Sequence, residues 1–300
     1  MGSRVRGQRN GEGRRSVSEL PELSARPREA HKGDFGTCLI VGGSHGMTGA
    51  IVLAARAALR SGVGLCRVAV PLGREAVIPM AVTEATSIGL AECEGAIASR
   101  AAEPVLEAAR SADAVAIGPG MSRAGEVSDF VERVLPSVPA PLVVDADALN
   151  VLGCKTELLN MRDARTVITP HPGEAARMLE LESAADVQRD RLGVAGQLAA
   201  RTGAVVVLKG AGTLVMDGER SFCNQSGNPG MATGGSGDVL TGMIVALLAQ
   251  GLEPFDASVL AVVAHGRAGD HAARDGSQAG LIAGDIVDRL PVVWRDLGSD

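Results

Sequence analysis

The stretch "TCLIVGGSHGMTGAIVLAARAALRSGVGLCRVAVP" (37–71) decides the fold. Residues 37–43 are a short apolar run rich in Leu, Ile and Val that stops at two glycines, as a buried strand does. Residues 48–62 are apolar on most faces of a helix, which predicts a buried helix. Residues 65–71 return to a strand pattern and stop at Pro71.

The alternation continues along the chain. The pattern predicts a helix over 95–110, interrupted near Pro104. Residues 113–120, 141–150 and 165–174 each begin as a strand and end in a turn. A helix follows over 184–203, ending at Gly203, and then a strand and loop over 204–213. Asp217-Gly218 predicts a hairpin within 214–224. Two helices are predicted near 236–250 and 256–274. Val- and Ile-rich strands alternating with helices indicate an α/β sandwich with a mostly parallel central sheet and helices on both faces. Residues 1–30 differ. They carry seven Arg and four Glu among Gly, Ser and Pro, and read as a disordered basic tail. Residues 31–300 show no composition break and no internal repeat, so one domain is expected.

Composition excludes several function classes. Of the 300 residues 46% are hydrophobic but only 2% aromatic, with no Tyr. The core is therefore aliphatic, and an aromatic-stacking nucleic-acid binder is disfavoured. The net charge of −6 gives no attraction for nucleic acid or an anionic membrane. No apolar run reaches the roughly 18 residues of a membrane span, and no apolar stretch follows the N-terminal arginines as a secretory signal requires. Cys38, Cys66, Cys93, Cys154 and Cys223 form no C-x-x-C pair, which reads as reduced, buried thiols in a cytoplasmic protein.

Ligands of open α/β sheets bind beyond the carboxyl ends of the strands. "GGSHGMTGA", "IGPGMS", "DADALN", "TPHPGE" and "LKGAGT" all follow apolar runs. The sixth segment is "GNPGMATGGSGDVLTG" (227–242), which holds six glycines and runs into an apolar helix. A glycine-rich turn at a helix start exposes backbone N–H groups and suits a phosphate. Ser236 and Asp238 equally suit a helix cap and a first-turn acid. Asp238 beside a bound anion would instead accept a proton from a hydroxyl. Lys209 is one of only three lysines against 26 arginines. It reads either as a solvated strand-end residue or as a nucleotide contact. Asp145 and Asp147 leave a metal role and a loop-stabilising role open. His265 and His271 lie six apart, wrong for a shared ligand face, and read as packing or surface residues. Neither the P-loop nor the dinucleotide-binding glycine pattern is present.

Together the six segments, in this order, resemble the ADP-dependent NAD(P)H-hydrate dehydratases of the ribokinase-like superfamily. The likeness runs from about residue 33 to 290. It implies a ribokinase-like three-layer sandwich and a repair reaction on hydrated NADH and NADPH (NADHX and NADPHX). In that reaction water leaves the S epimer while ADP becomes AMP and phosphate, through phosphorylation of the C6 hydroxyl and elimination. By resemblance Asp238 is the base, and Gly235, Ser236 and Gly237 form the anion hole. Lys209, Gly210, Ala211, Gly212 and Thr213, with Gly237, hold AMP or ADP. Ala50, Gly120, His171 and Asp238 contact the hydrated nucleotide. Glu174 stands three residues after His171, where related kinases carry N-x-x-E near Mg2+; here the first position is His. The resemblance also implies a homo-oligomer. Many relatives carry an N-terminal epimerase domain, for which residues 1–34 are too short, so a separate epimerase or spontaneous epimerisation is expected. Two rival readings are a small-molecule kinase for a vitamin precursor or sugar and a nucleotide-binding protein without catalysis. Where Asp238 and His171 stand, thiazole and pyrimidine kinases usually carry Cys and Asn.

Overall fold

Glycines and prolines close most of the predicted strands, and the computed structural model shows what lies between them. It describes residues 7–9, 15–17, 20–23, 25–162 and 165–298. Strands β1 (Gly7–Arg9) and β2 (Arg15–Val17) fall within the predicted tail; the rest of residues 1–19, and Ser24, lie outside the described residues. Then come β3 (Thr37–Val41), α1 (Thr48–Arg60), β4 (Leu65–Pro71), α2 (Val77–Ala81) and β5 (Thr86–Leu90). A small ribbon of β6 (Glu92–Cys93) and β7 (Ala96–Ile97) precedes α3 (Ala102–Ala109), β8 (Ala114–Ile117) and α4 (Val127–Val134). Next are β9 (Leu142–Val144), α5 (Ala146–Leu152), α6 (Glu157–Asn160), β10 (Thr166–Ile168), α7 (Pro172–Met178), α8 (Ala184–Arg189) and α9 (Arg191–Thr202). The chain ends with β11 (Val205–Leu208), β12 (Leu214–Met216), β13 (Arg220–Cys223), α10 (Ser236–Ala249), α11 (Pro254–Asp275) and α12 (Ala283–Asp296).

The main sheet runs β1-β2-β13-β12-β11-β10-β9-β8-β3-β4-β5. From β11 to β5 every neighbouring pair is parallel; β11, β12 and β13 are joined antiparallel. Strand side chains alternate between two buried faces. Cys38, Ile40, Val68 and Val143 meet α1, α10, α11 and α12 on one side. Leu39, Val41, Val115 and Val144 meet α3, α4, α5, α7 and α9 on the other. This is a three-layer α/β sandwich. No helix among the described residues is long and apolar enough to cross a membrane.

Three local readings need correction. Ala96 and Ile97 are strand, paired with Glu92 and Cys93, and not helix. Helix α3 starts only at Ala102, which puts Pro104 in the first turn, where its missing N–H costs nothing. The helix expected over 184–203 breaks at Asp190, at φ −143°; its carboxylate accepts the Gly193 N–H at 2.8 Å and restarts the helix. Of the cysteines, Cys38 and Cys66 are buried, but Cys154 and Cys223 are exposed.

The order in which strands join the sheet reverses between β3 and β8, which lie side by side and parallel although β4 and β5 extend outward from β3. Such a switch point opens a crevice at the carboxyl ends. Here the two loops meet by backbone. Gly43 N–H donates to Pro119 O at 2.9 Å and Ser44 N–H to Gly120 O at 2.6 Å. A Cβ at Gly42 would come 2.1 Å from Pro119 O, so no other residue fits.

Candidate active site

Strand β9 stops at Val144, and the next residue is the centre of the site. Asp145 is 1% exposed. Its carboxylate accepts Thr169 Oγ1 at 2.6 Å, Thr241 Oγ1 at 2.6 Å and Lys209 Nζ at 2.7 Å. Burial alone would raise its pKa, but the Lys209 charge and these hydrogen bonds outweigh burial and hold it below the ordinary value. Four elements, β9, β10, β11 and α10, are thereby tied at one carboxylate. Asp145 thus cross-links loops. Asp147 does so nearby by accepting the Ser122 N–H at 2.9 Å.

Lys209 is neither solvated nor free. Its backbone N–H donates to Pro170 O at 2.9 Å. Its side chain crosses to Asp145, with Nζ 4.0 Å from Glu174 Oε2. Burial opposes its charge, yet Asp145 and Glu174 push its pKa above the usual value, so it stays an ammonium. A Cβ at Gly237 would come 3.3 Å from that Nζ. The ammonium therefore sits against the glycine turn that starts α10.

His171 caps α7. Its Nδ1 accepts the N–H groups of Gly173 at 3.0 Å and Glu174 at 3.3 Å, and Glu174 Oε2 accepts the His171 N–H at 2.8 Å. That reciprocity resembles a capping box and leaves the proton on Nε2. Burial, then Lys209 and Arg177, lower the His171 pKa, so the ring is neutral. Glu174 is 2% exposed. Burial, reinforced by Asp145 and eased by Lys209, raises its pKa to about 7.

Helix α10 begins after Gly235, which sits at φ +91°; a Cβ there would come 2.4 Å from Leu53 Cδ1. Ser236 does not cap the helix. It is the first helical residue, and its carbonyl accepts His265 Nε2 at 2.9 Å. Burial pushes His265 down to about 4, so it is neutral, and its packing role includes pinning this turn. The N–H groups of Gly237 and Asp238 belong to the first turn, which has no preceding carbonyl to take them. Asp238 is half-buried and, among the described residues, its carboxylate has no hydrogen-bond partner. Burial, then Asp145, Asp147 and Glu174 against the opposing Lys209, raise its pKa to about 7. It is a carboxylate held close to neutrality without a structural task.

The loop after Lys209 is exposed and turns at Gly210 (φ +130°) and Gly212 (φ +62°). Arg191 fixes it from below, donating to Leu208 O at 2.9 Å and to Lys209 O and Gly212 O at 3.3 Å. Thr213 Oγ1 donates to Gly210 O at 2.9 Å, while Ala211 lies exposed at the tip. Ala50 and Gly120 sit together at the switch point: a Cβ at Gly120 would lie 3.1 Å from Ala50 Cβ. The residues expected at the site by resemblance stand in loops at the carboxyl ends of strands, in the first turns of α1 and α7 that follow such loops, or at the start of α10, whereas His271 lies on α11, 3.8 Å from Asp296. Thr169, Thr241 and Arg191 escaped that reading, and His265, read as a packing or surface residue, packs where it also holds the α10 turn. A cavity of about 500 Å³ between α11 and α12, lined by Asp275, Leu281 and Arg289 among others, lies apart from these residues.

Comparisons with known proteins bear on this arrangement. Residues 38–291 match the family model described as NAD(P)H-hydrate dehydratase. A bifunctional NAD(P)H-hydrate repair enzyme of Moorella thermoacetica is 48% identical over 286 residues, covering 94% of this chain and 53% of its own length. An ADP-dependent (S)-NAD(P)H-hydrate dehydratase of Neisseria meningitidis is 39% identical over 287 residues, covering 93% of each. The chain spans about half the length of the bifunctional relatives it matches. Among solved structures, the ADP/ATP-dependent NAD(P)H-hydrate dehydratase of Bacillus subtilis, co-crystallised with ATP and Mg2+, superposes with a TM-score of 0.79 at 32% identity, covering 92% of this chain and 94% of that one. A ribokinase-like superfamily protein of Enterococcus faecalis gives 0.81 at 25%, covering 97% and 99%. The three-layer sandwich is thus ribokinase-like.

Proposed function

The chain belongs to the NAD(P)H-hydrate dehydratase family, and we propose that it removes water from the S epimer of hydrated NADH or NADPH at the expense of ADP, yielding AMP and phosphate. The observation that carries this reading is Asp238. It is a carboxylate without a hydrogen-bond partner among the described residues, raised to about 7, in the first turn behind a glycine-rich turn.

In this mechanism Asp238 accepts the proton of the C6 hydroxyl as that oxygen attacks the terminal phosphorus of ADP. The bond to AMP breaks, and the phosphorylated carbinol then expels phosphate with loss of a ring proton, restoring the dihydropyridine. The N–H groups around Gly235, Ser236 and Gly237 stabilise the transferring phosphoryl group. Lys209 puts a fixed positive charge beneath that turn. Its following residues, Gly210, Ala211, Gly212 and Thr213, hold the nucleotide, with Arg191 keeping the loop in shape. Ala50 and Gly120 border the hydrated nicotinamide, and neutral His171 offers it an Nε2–H donor.

Among the described residues no three His, Cys, Asp or Glu are grouped to hold a metal ion alone. Mg2+ more often rides on phosphates with one or two carboxylates. Buried Glu174 and Asp238, whose carboxylate has no partner among the described residues, are two such carboxylates beside the glycine turn, and Glu174 would hold the cation. Mg2+ when bound would neutralise phosphate charge.

The test mixes the protein with chemically hydrated NADH, Mg2+ and either ADP or ATP, and follows recovery of absorbance at the reduced-nicotinamide band. Recovery with stoichiometric AMP release, faster with ADP, is expected. No recovery, together with phosphorylation of a thiazole or pyrimidine alcohol, would replace this reading with a vitamin-precursor kinase.

A further inference from the structure

Two buried polar atoms without hydrogen-bond partners lie in neighbouring loops that the mechanism does not use: Ser44 Oγ, after β3, and Arg74 Nε, after β4. Strands β3 and β4 are adjacent and parallel, so both loops leave the same edge of the sheet as the site described above. Ser44 is 2% exposed, and its N–H bonds Gly120 O, so this corner adjoins the expected nicotinamide contact.

Arg74 is always charged. Its Nη2 donates to His45 Nδ1 rather than to a carboxylate. The nearby Glu92 carboxylate accepts the Gly73 N–H at 3.2 Å. Because a guanidinium cannot accept, His45 Nδ1 must be the acceptor, which leaves the imidazole proton on Nε2. His45 is exposed, so that N–H is available to a ligand. A guanidinium, an imidazole N–H and an unpartnered hydroxyl make a corner rich in donors, in a protein of net charge −6. Such a set recognises phosphate oxygens.

We propose that Ser44, His45 and Arg74 form a subsite for a phosphate of the dinucleotide substrate, either its pyrophosphate or the 2′-phosphate of the NADPH form. This rests on the proposed function for the identity of the substrate. The cluster itself contains no residue assigned to the nucleotide or to proton transfer. It therefore governs how tightly the hydrate is held, and not the chemical step.

The test compares wild type with Arg74→Gln, Arg74→Lys and His45→Ala. KM and kcat are measured for hydrated NADH and hydrated NADPH at saturating ADP. Calorimetric affinity for unhydrated NADPH serves as a probe independent of turnover. Arg74→Gln should raise KM for the hydrate by about tenfold or more, the scale of a charge-assisted hydrogen bond, with kcat and the KM for ADP nearly unchanged. Lys should restore part of the loss. A rise with both hydrates assigns the pyrophosphate; a rise confined to hydrated NADPH assigns the 2′-phosphate. Should Arg74→Gln fail to fold, the exposed His45→Ala carries the same comparison. Unchanged KM and unchanged NADPH affinity in the variants would overturn the subsite. Absence of turnover in the wild type would overturn the proposed function, and the NADPH arm would still judge the subsite.

Discussion

Asp238 joins two consequences in one side chain. A carboxyl raised to about 7 has its proton bound more tightly in the folded chain than in the unfolded one, where an Asp titrates near about 3.9. The stability this contributes is therefore complete below the unfolded value and is lost as pH rises through 7. The ionised form that a base requires is thus the form that strains the nucleotide-free protein. Asp238→Asn should abolish or cut dehydration by about 10²- to 10⁴-fold while retaining ADP binding. The same change should stabilise the nucleotide-free protein more at pH 8 than at pH 5, by about 1–2 kcal/mol or a few degrees in Tm. Thermal unfolding at the two pH values checks this. An equal Tm change at both would mean that the Asp238 proton is not what links stability to pH. For the wild type, kcat should rise with pH through about 7 as Asp238 ionises. Asp238 and Lys209 stand out in the sequence because residue type and position after a glycine turn or an apolar run are unusual there. Thr241 does not. It is one hydroxyl in an apolar helix, 96 residues from the Asp145 it bonds, and no local pattern encodes that meeting.

Helix α10 meets α1 closely enough that side-chain volume decides the contact. At Gly242 a Cβ would come 2.0 Å from Ala54 O, and the facing Ala54, Ala55 and Ala58 are fully buried. Gly242→Ala should therefore push the helices apart and cost about 1–3 kcal/mol, as overpacking does, lowering Tm by several degrees. Gly234 is an internal control, since a Cβ there meets nothing within 4 Å and its φ is not positive. Gly234→Ala should leave Tm within about a degree. Equal losses in both variants would show that the α1–α10 contact is not what sets the cost at Gly242, since the chain-entropy effect of Gly→Ala is by itself stabilising. Element type was legible where one period dominated, as in α1, β3, β4 and α10. It failed where two signals competed. Ala96 and Ile97 carry the small apolar character of the following helix, yet Gly95 at φ +76° turns them into a strand. Asp190 breaks a pattern that stays helical on both sides, because its side chain captures the Gly193 N–H.

At the scale of the whole molecule, one sheet divides two apolar cores, and the strands from β12 to β4 supply side chains to both. In β3, Ile40 belongs to one and Leu39 to the other; in β9, Val143 and Leu142 do the same. Removing the helices from either face would expose one side of these shared strands to water, at about 25 cal/mol for each Å² of apolar surface. The parallel order of these strands also holds only when both faces are covered. The site lies on the same strands: Asp145 ties β9, β10, β11 and α10 together, while Ser44 and Gly120 join β3 to β8. Folding of residues 31–300 should accordingly be cooperative across the sheet, as one domain. Trp294, the single Trp of the chain, is 8% exposed and belongs to the core beneath α12, so its fluorescence reports on one face. Far-UV circular dichroism reports on the helices of both. In urea without nucleotide the two signals should share one midpoint and one slope. A Trp294 transition at lower urea than the dichroism transition would show that the α12 face opens alone. Were that so, the glycine turn of α10, packed on that face, would not be preorganised before ADP arrives.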